Sequence, residues 1–467
     1  MTIANKRWFD LASVGVAGVF CGLLVCLRAH LPVFSDSWYH LAVVRAFFER
    51  GFSTHAWWEY APFGRPHLYP PLFHLASAAA LRATGWSLLD LARFYNVVTF
   101  PLLLLAGWLA ARCLFGPRAA LLTVLLLTLN IGLVFPCSLI IMPGTYAVLL
   151  WSFVYVLLLR GKWLLAGLVL AVTSYLHLGV AAAAMASLIV FAVLKPQFAA
   201  RTLLTATIAV VMFCPWLWHL YHFRAFLRSG TARLPVFVPA LTVGAGVLGV
   251  VVAVRHRENE SMAVISMILA SAIFWFTLQE RFWTYGGFLF ALLGGYGIDR
   301  CRGRWTRWAV PVLVASCLTV TPFLKPSTMQ LALPIPYQNT RFLMPSPFLT
   351  FVEWQRTDEA AKIPRALPAE LVELAQWIRE HVDREDVLLT DDRLLGSQLF
   401  VLTGRRTTSG LWSEVMTQEL KDKVRHYYET ASGYIVVDQN RPNESGLAGN
   451  TVPMASFGNY AVFRHGG

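Results

Sequence analysis

The run WLLAGLVLAVTSYLHLGVAAAAMASLIVFAVL, from Trp163 to Leu194, holds no Asp, Glu, Lys or Arg and one histidine, His177. An α-helix crosses the hydrocarbon of a bilayer with about 20 apolar residues. The run is too long for one crossing, so it reads as two spans, 163–176 and 178–194, divided at His177. A chain that can afford two adjacent crossings this free of charge belongs in a membrane, and the rest of the sequence agrees. Hydrophobic residues make up 57% and charged residues 14%, and the mean hydropathy is +0.55. A soluble core cannot hide that much apolar surface.

Outward from this pair, apolar runs at 11–27, 91–111, 119–135, 146–159, 202–221, 236–254, 262–278, 283–298 and 308–324 complete about 11 transmembrane helices, an α-helical polytopic membrane protein. The first run has no small-residue cleavage site before Pro32 and is kept as a span rather than a signal peptide. Lys and Arg favour the cytoplasmic ends of spans. With Lys6 and Arg7 inside, five successive inner loops carry Arg112 and Arg118, Arg160 and Lys162, Lys195 and Arg201, Arg255 and Arg257, and Arg300, Arg302, Arg304 and Arg307. This topology accounts for the net charge of +13 without a nucleic-acid partner. It requires 70–85, which holds His74 and Arg82, to be a helix in the outer interface rather than a further span.

An odd number of spans puts the tail outside. Residues 1–324 form the membrane domain, with a first outer loop at 29–90; 325–369 read as an extended, proline-rich connector, and 370–467 as a small soluble extracytoplasmic α/β domain. In the last, Leu371, Leu374, Ala375, Ile378 and Val382 have the spacing of an amphipathic helix over 370–382. Residues 387–390, 434–437 and 460–463 read as strands, and 413–430 as another helix. None of the seven cysteines lies in the tail, which has no disulfide staple; those in or beside spans read as small apolar residues.

The first outer loop is where ionisable residues gather: Asp36, His40, His55, Glu59, Arg65, His67 and His74. Groups this dense are costly beside hydrocarbon, so the loop faces a wet cavity. Asp36 stands where a helix begins and has the composition of an N-cap as well as of a catalytic acid; with His40 it could also form an ion pair one turn apart. Glu59, beside Trp57, Trp58 and Tyr60, fits either a substrate contact or an aromatic interfacial belt. His67-Leu68-Tyr69-Pro70-Pro71 is a rigid turn into the next helix, and His67 with His74 lacks a strong metal spacing. On other outer segments, His177, Arg224, Arg228, Glu280 and Arg281 are further candidates. The arginines suit a lipid phosphate through paired N–H donors or phospholipid head groups in general.

The Asp-x-Trp-Tyr-His start at Asp36–His40 and the Tyr-Pro-Pro-Leu end at Tyr69–Leu72, with many spans and an outer C-terminal domain, resemble the GT-C superfamily of integral membrane glycosyltransferases, including oligosaccharyltransferase catalytic subunits and protein mannosyltransferases. The resemblance implies transfer of a sugar from a polyprenyl-phosphate or polyprenyl-diphosphate donor to an acceptor on the outer or luminal face; with no retention or lipidation signal at either end, the membrane expected is a plasma membrane, with that face extracytoplasmic. It matches Asp36 to the catalytic acid of the first loop and Glu280 to a late-loop acid. His40, Glu59, Arg65, His67, Tyr69, His177, Arg224, Arg228 and Arg281 are then expected at the substrate. Oligosaccharyltransferases carry an acidic metal-binding pair in the second outer loop, whereas Pro136 to Gly144 contains no carboxylate; no metal ligand is assigned, and a divalent ion such as Mg or Mn is left open. A flippase of a lipid-linked glycan and a non-catalytic subunit of a glycosylation complex are the alternatives. The gathering of charge at one face and the absence of a repeat favour the enzyme over a transporter.

Overall fold

A computed structural model describes residues 3–26, 35–226, 240–277, 279–301, 308–322, 343–357, 367–411, 417–440 and 452–465. The chain is a mostly helical, membrane-embedded protein. Among the described residues three helices are long and apolar enough to cross a membrane on their own: Lys6–Cys26, Leu88–Leu114 and Pro196–His222. Shorter apolar helices include Pro143–Leu159, Trp163–Leu176, Leu178–Leu194, Ala240–His256 and Ala309–Leu318. Nine short strands are described: β1 (His55–Ala56), β2 (Arg65–Pro66), β3 (Val320–Pro322), β4 (Leu343–Pro345), β5 (Val387–Leu389), β6 (Arg406–Thr407), β7 (Gly433–Asp438), β8 (Ala455–Phe457) and β9 (Tyr460–His465). The chain divides into two compact units.

The first unit comprises Met1–His30, Phe94–Pro215 and Thr231–Pro364. The expected division at His177 is present: the helix Trp163–Leu176 ends there, and His177 Nδ1 accepts from the Val180 amide at 3.2 Å to cap the helix Leu178–Leu194. Two helices of this unit, Ala240–His256 and Gln279–Arg300, meet through glycine. A methyl group on Gly249 would lie 2.1 Å from the Leu293 carbonyl oxygen, and one on Gly297 would lie 2.6 Å from the Gly249 Cα. Such small residues let backbones approach where lipid removes the hydrophobic drive for helices to associate.

Three expectations need correction here. The run 119–135 is not one helix: Pro117–Thr128 and Gly132–Leu139 are bent 73° apart. The chain leaves helical geometry at Asn130 (φ −88°, ψ 86°), and Pro136, which has no N–H to give, lies inside the second piece. The last span stops at Leu318, where the chain turns into β3, which pairs antiparallel with β4. The connector is also less irregular than its prolines suggest, because Pro347 begins the helix Pro347–Thr357, at a position where a missing N–H costs nothing.

The second unit joins Leu31–Arg93, Trp216–Gly230 and Arg365–Gly467. The tail provides a five-stranded sheet in the order β6-β5-β7-β9-β8. β5 is parallel to β6 and β7, while β9 is antiparallel to β7 and β8. Side chains alternate across it. Leu388, Val436 and Val462 pack with Leu371, Leu374 and Ile378 of the helix Ala369–His381 and Leu395 and Leu399 of the helix Arg393–Thr403. Leu389, Ile435, Val437, Ala461 and Phe463 pack on the opposite face with Tyr427 and Tyr428 of the helix Gln418–Thr430. Helix starts are capped as their sequences require: Asp392 Oδ1 accepts from the Leu394 and Leu395 amides, and Thr417 Oγ1 from Leu420.

The same unit holds the first loop as a helix, Ser35–Arg50, the hairpin β1–β2, and a second helix, Leu72–Thr84, closed by Gly85 in a left-handed cap (φ 69°). The loop is built against the tail sheet. Thr407 of β6 donates its amide to the Trp58 carbonyl and accepts from the Ala61 amide, both at 2.9 Å. The Tyr60 hydroxyl donates to the Gly410 carbonyl at 2.8 Å, Trp58 stacks on Phe400 at 5.9 Å, and Arg45 donates to the Val401 carbonyl at 2.6 Å.

Candidate functional site

The helix Ser35–Arg50 starts two residues earlier than an Asp36 N-cap requires, so Asp36 sits inside its first turn, exposed, where a carboxylate is favoured by the unpaired amides of the helix start. One turn on, the chain enters the core: Trp38, Tyr39, His40, Leu41 and Ala42 are all buried. His40 Nδ1 lies 3.0 Å from Nε2 of His74, itself wholly buried on the helix Leu72–Thr84. The Tyr69 ring stands edge-on to His40 at 5.0 Å, and the two rings meet at 74°. The aspartate is therefore displayed, while the histidine that shares its helix face is held in place by the neighbouring helix.

Glu59 and Arg65 face each other across the loop between β1 and β2. Arg65 Nη2 is 2.7 Å from Glu59 Oε1, and each side chain is 2% exposed. Arg65 Nη1 also donates to the Pro66 carbonyl at 3.0 Å. Burial by itself works against the guanidinium charge, but the Glu59 carboxylate, helped by Tyr39 and Tyr60, outweighs it and raises the arginine pKa. Gly410 completes the enclosure: a methyl group there would come within 2.1 Å of Glu59 Oε2. Only a residue without a side chain fits.

His67 has no exposed surface, and neither ring nitrogen has a hydrogen-bond partner among the described residues. Its backbone is fixed at both ends, its amide donating to the Thr54 carbonyl at 2.8 Å and its carbonyl accepting from His219 Nε2 at 2.9 Å. The rings of Phe47, Trp58, His74 and Trp216 surround it at 5.5 to 6.3 Å. Burial first, then the charge of Arg65 and the neighbouring imidazoles of His219 and His40, hold the His67 pKa well below the ordinary value. His74 is lowered for the same leading reason, then by His40 and His67, with the Pro70 carbonyl acting the other way. Both rings are held toward the neutral form, His74 as the hydrogen-bond partner of His40 and His67 as a ring packed among aromatic neighbours.

Of the other candidates, Arg224 lies in this unit, exposed, 4.6 Å over the Tyr221 ring. His177 is a helix cap in the first unit. Arg228 and the side chains of Glu280 and Arg281 lie outside the described residues. Three contributors are not legible as site residues in the sequence, Trp216, His219 and Gly410, and His74 is marked only as one of the ionisable residues of the first loop. A histidine two residues before the end of the apolar run 202–221 is the only local signal for His219. Among the described residues no three His, Cys, Asp or Glu side chains are placed to hold a metal ion. The one buried carboxylate of the loop, Glu59, is already committed to Arg65, so these residues do not fit a divalent cation.

No family model matches the sequence, and no curated protein does. Solved structures do match the fold. ArnT from Cupriavidus metallidurans in the apo state superposes with a TM-score of 0.66 at 16% identity, covering 99% of this chain and 98% of its own. This is the GT-C fold. ArnT bound to undecaprenyl phosphate, another GT-C structure, matches with a TM-score of 0.65 at 15% identity over 98% of each chain. The archaeal oligosaccharyltransferase AglB from Archaeoglobus fulgidus, in complex with an inhibitory peptide and a dolichol-phosphate, matches with a TM-score of 0.66 at 10% identity over 94% of this chain and 70% of its own. The GT-C likeness expected from Asp36–His40 and Tyr69–Leu72 thus extends along almost the whole chain.

Proposed function

We propose that the protein is a membrane glycosyltransferase that moves a sugar from a polyprenyl-phosphate donor to an acceptor on the extracytoplasmic face. The observation that carries this reading is the end-to-end likeness of fold to GT-C structures, one of which holds undecaprenyl phosphate. The presentation of one exposed acid, Asp36, at the head of a rigid first-loop helix is consistent with it. The distribution of Lys and Arg in the loops, on the reading of eleven spans, favours an outer position for the tail domain, 370–467, together with that loop.

In this proposal the reaction is a single displacement at the anomeric carbon. The acceptor hydroxyl attacks and loses its proton to Asp36 as general base, or is oriented by it. The bond from the sugar to the carrier phosphate breaks, and the phosphate leaves with the electron pair. Arg224 meets the negative charge that develops there. Glu59 is already neutralised by Arg65, and with the buried His67 it fixes the shape of the loop that carries the acid.

The test is transfer of radiolabelled sugar from a panel of polyprenyl-phosphate donors by the full chain in lipid, with and without chelator. Asp36→Asn is expected to abolish transfer and leave membrane insertion intact. Undiminished transfer by that variant removes Asp36 from the mechanism, and no transfer from any donor by the wild type overturns the function.

A further inference from the structure

Asn130 stands at the break of the bent pair Pro117–Thr128 and Gly132–Leu139. Its side chain is wholly buried, and neither the oxygen nor the nitrogen of its carboxamide has a hydrogen-bond partner among the described residues. An asparagine in front of a helix ordinarily turns its side-chain oxygen back onto the first amides. This one makes no such bond to the helix that follows. Its carboxamide lies instead against the helix Gln279–Arg300, where a methyl group on Gly287 would come within 2.2 Å of Asn130 Nδ2. Only the missing side chain of Gly287 leaves that nitrogen room.

The same place borders a pocket of about 180 Å³ in the first unit. Thr284 and Phe288, which share a helix face with Gly287, line it, and so does Leu133, one turn after Asn130. Cys137 and Thr145 add a thiol and a hydroxyl, and no charged side chain is among the described residues of the lining. An ion or a phosphate would find no counter-charge there. The carboxamide offers two donors and one acceptor, the start of the following helix adds amides that have no acceptor within the helix, and such groups are costly to leave unmatched inside a membrane. The occupant they fit is small, neutral and able both to donate and to accept.

We propose that the break at Asn130 is a hydration site, with water held by the carboxamide on the side that faces Gly287. A trapped water takes two to four polar partners, and water inserted at a kink stands in for the intrahelical bonds lost there. The site lies in the membrane domain and is independent of the chemistry assigned to the first loop.

The test is water-edited nitrogen-15 solid-state NMR of the full chain in lipid bilayers, labelled at the asparagine side chains. Asn130→Leu identifies the Asn130 resonance by its loss; Gly287→Ala, which keeps the asparagine, identifies it by a shift if the first variant does not fold. The wild-type Nδ2 hydrogens are expected to receive magnetisation from water, and Gly287→Ala to lose that transfer, because the added methyl group takes the place of the water. Asn130→Leu is expected to lower the thermal midpoint, since leucine cannot hold the water. A wild type without transfer from water to Asn130, or transfer that persists unchanged in Gly287→Ala, overturns the proposal. So does a midpoint raised by Asn130→Leu, the result expected when a buried amide with no partner is replaced by an apolar group.

Discussion

Removing one partner of the Glu59–Arg65 pair should cost more than removing both. The two side chains are 2% exposed and 2.7 Å apart, so water cannot take over the charge that either leaves behind. Breaking such a pair typically costs about 3 to 5 kcal/mol, whereas replacing both charges is far milder. At about 1.36 kcal/mol per factor of ten, Arg65→Met or Glu59→Gln alone should speed local opening of the hairpin by about a hundredfold to several thousandfold. Hydrogen exchange at the Ala61 and His67 amides reads this opening, because they donate to the Thr407 and Thr54 carbonyls within the same unit. In the double variant Glu59→Gln/Arg65→Met most of the protection should return. Two single effects that simply add in the double variant would refute the reasoning, since that is the behaviour of independent surface groups.

Two further outcomes follow from the same cluster. His67 and His74 are neutral in the fold, their pKa values pushed below 6.5 chiefly by burial, so the unfolded chain takes up protons that the folded chain refuses. Stability should be complete above the unfolded value and fall as the pH drops below it, by about 1.4 kcal/mol per pH unit for each ring; denaturant unfolding at pH 7 and pH 5 measures this, and stability that holds or rises in acid contradicts it. Gly410→Ala should lower the thermal midpoint, because the added methyl group meets Glu59 Oε2 at 2.1 Å and Glu59 Cβ at 2.8 Å. Overpacking of this kind costs about 1 to 3 kcal/mol, and an unchanged midpoint would mean that the enclosure is looser than described.

The parts of the fold that the sequence announces are those set by neighbours in the chain. The division at His177 shows because charge-free runs on either side have the length of a span. The strand at 433–438 shows because the β-branched Ile435, Val436 and Val437 are adjacent, and that at 387–389 because a short apolar run stands between polar residues. The break at Asn130 is easily overlooked, because Asn130 and Gly132 are its only local signals inside an otherwise apolar run. The helix Pro347–Thr357 hides behind a proline that suits its first turn as well as it suits a loop. In the site, density of ionisable residues marks the first loop as the place to look, but it does not sort them. Asp36 stays exposed while Glu59 is silenced by Arg65 six residues away, a pairing made by an eight-residue loop between two very short strands, whose path the turn residues Pro62 and Gly64 do not by themselves specify. His219 and Gly410 reach the loop from more than 150 and 340 residues downstream, a separation no local pattern encodes.

The attachment of Trp58–Ala61 to β6 bears on how the chain is made. The Tyr60–Gly410 bond joins residues 350 apart, and the hairpin's carbonyl and amide partners lie on Thr407. During synthesis the first loop emerges long before those partners exist, so it must wait in an incomplete form while every intervening helix is inserted. Closing so long a stretch of chain is slow in entropic terms. Although it is among the first segments made, the first loop is among the last to be finished, so a chain truncated before the tail sheet would carry the acid on a loop whose Trp58–Ala61 segment lacks its partners.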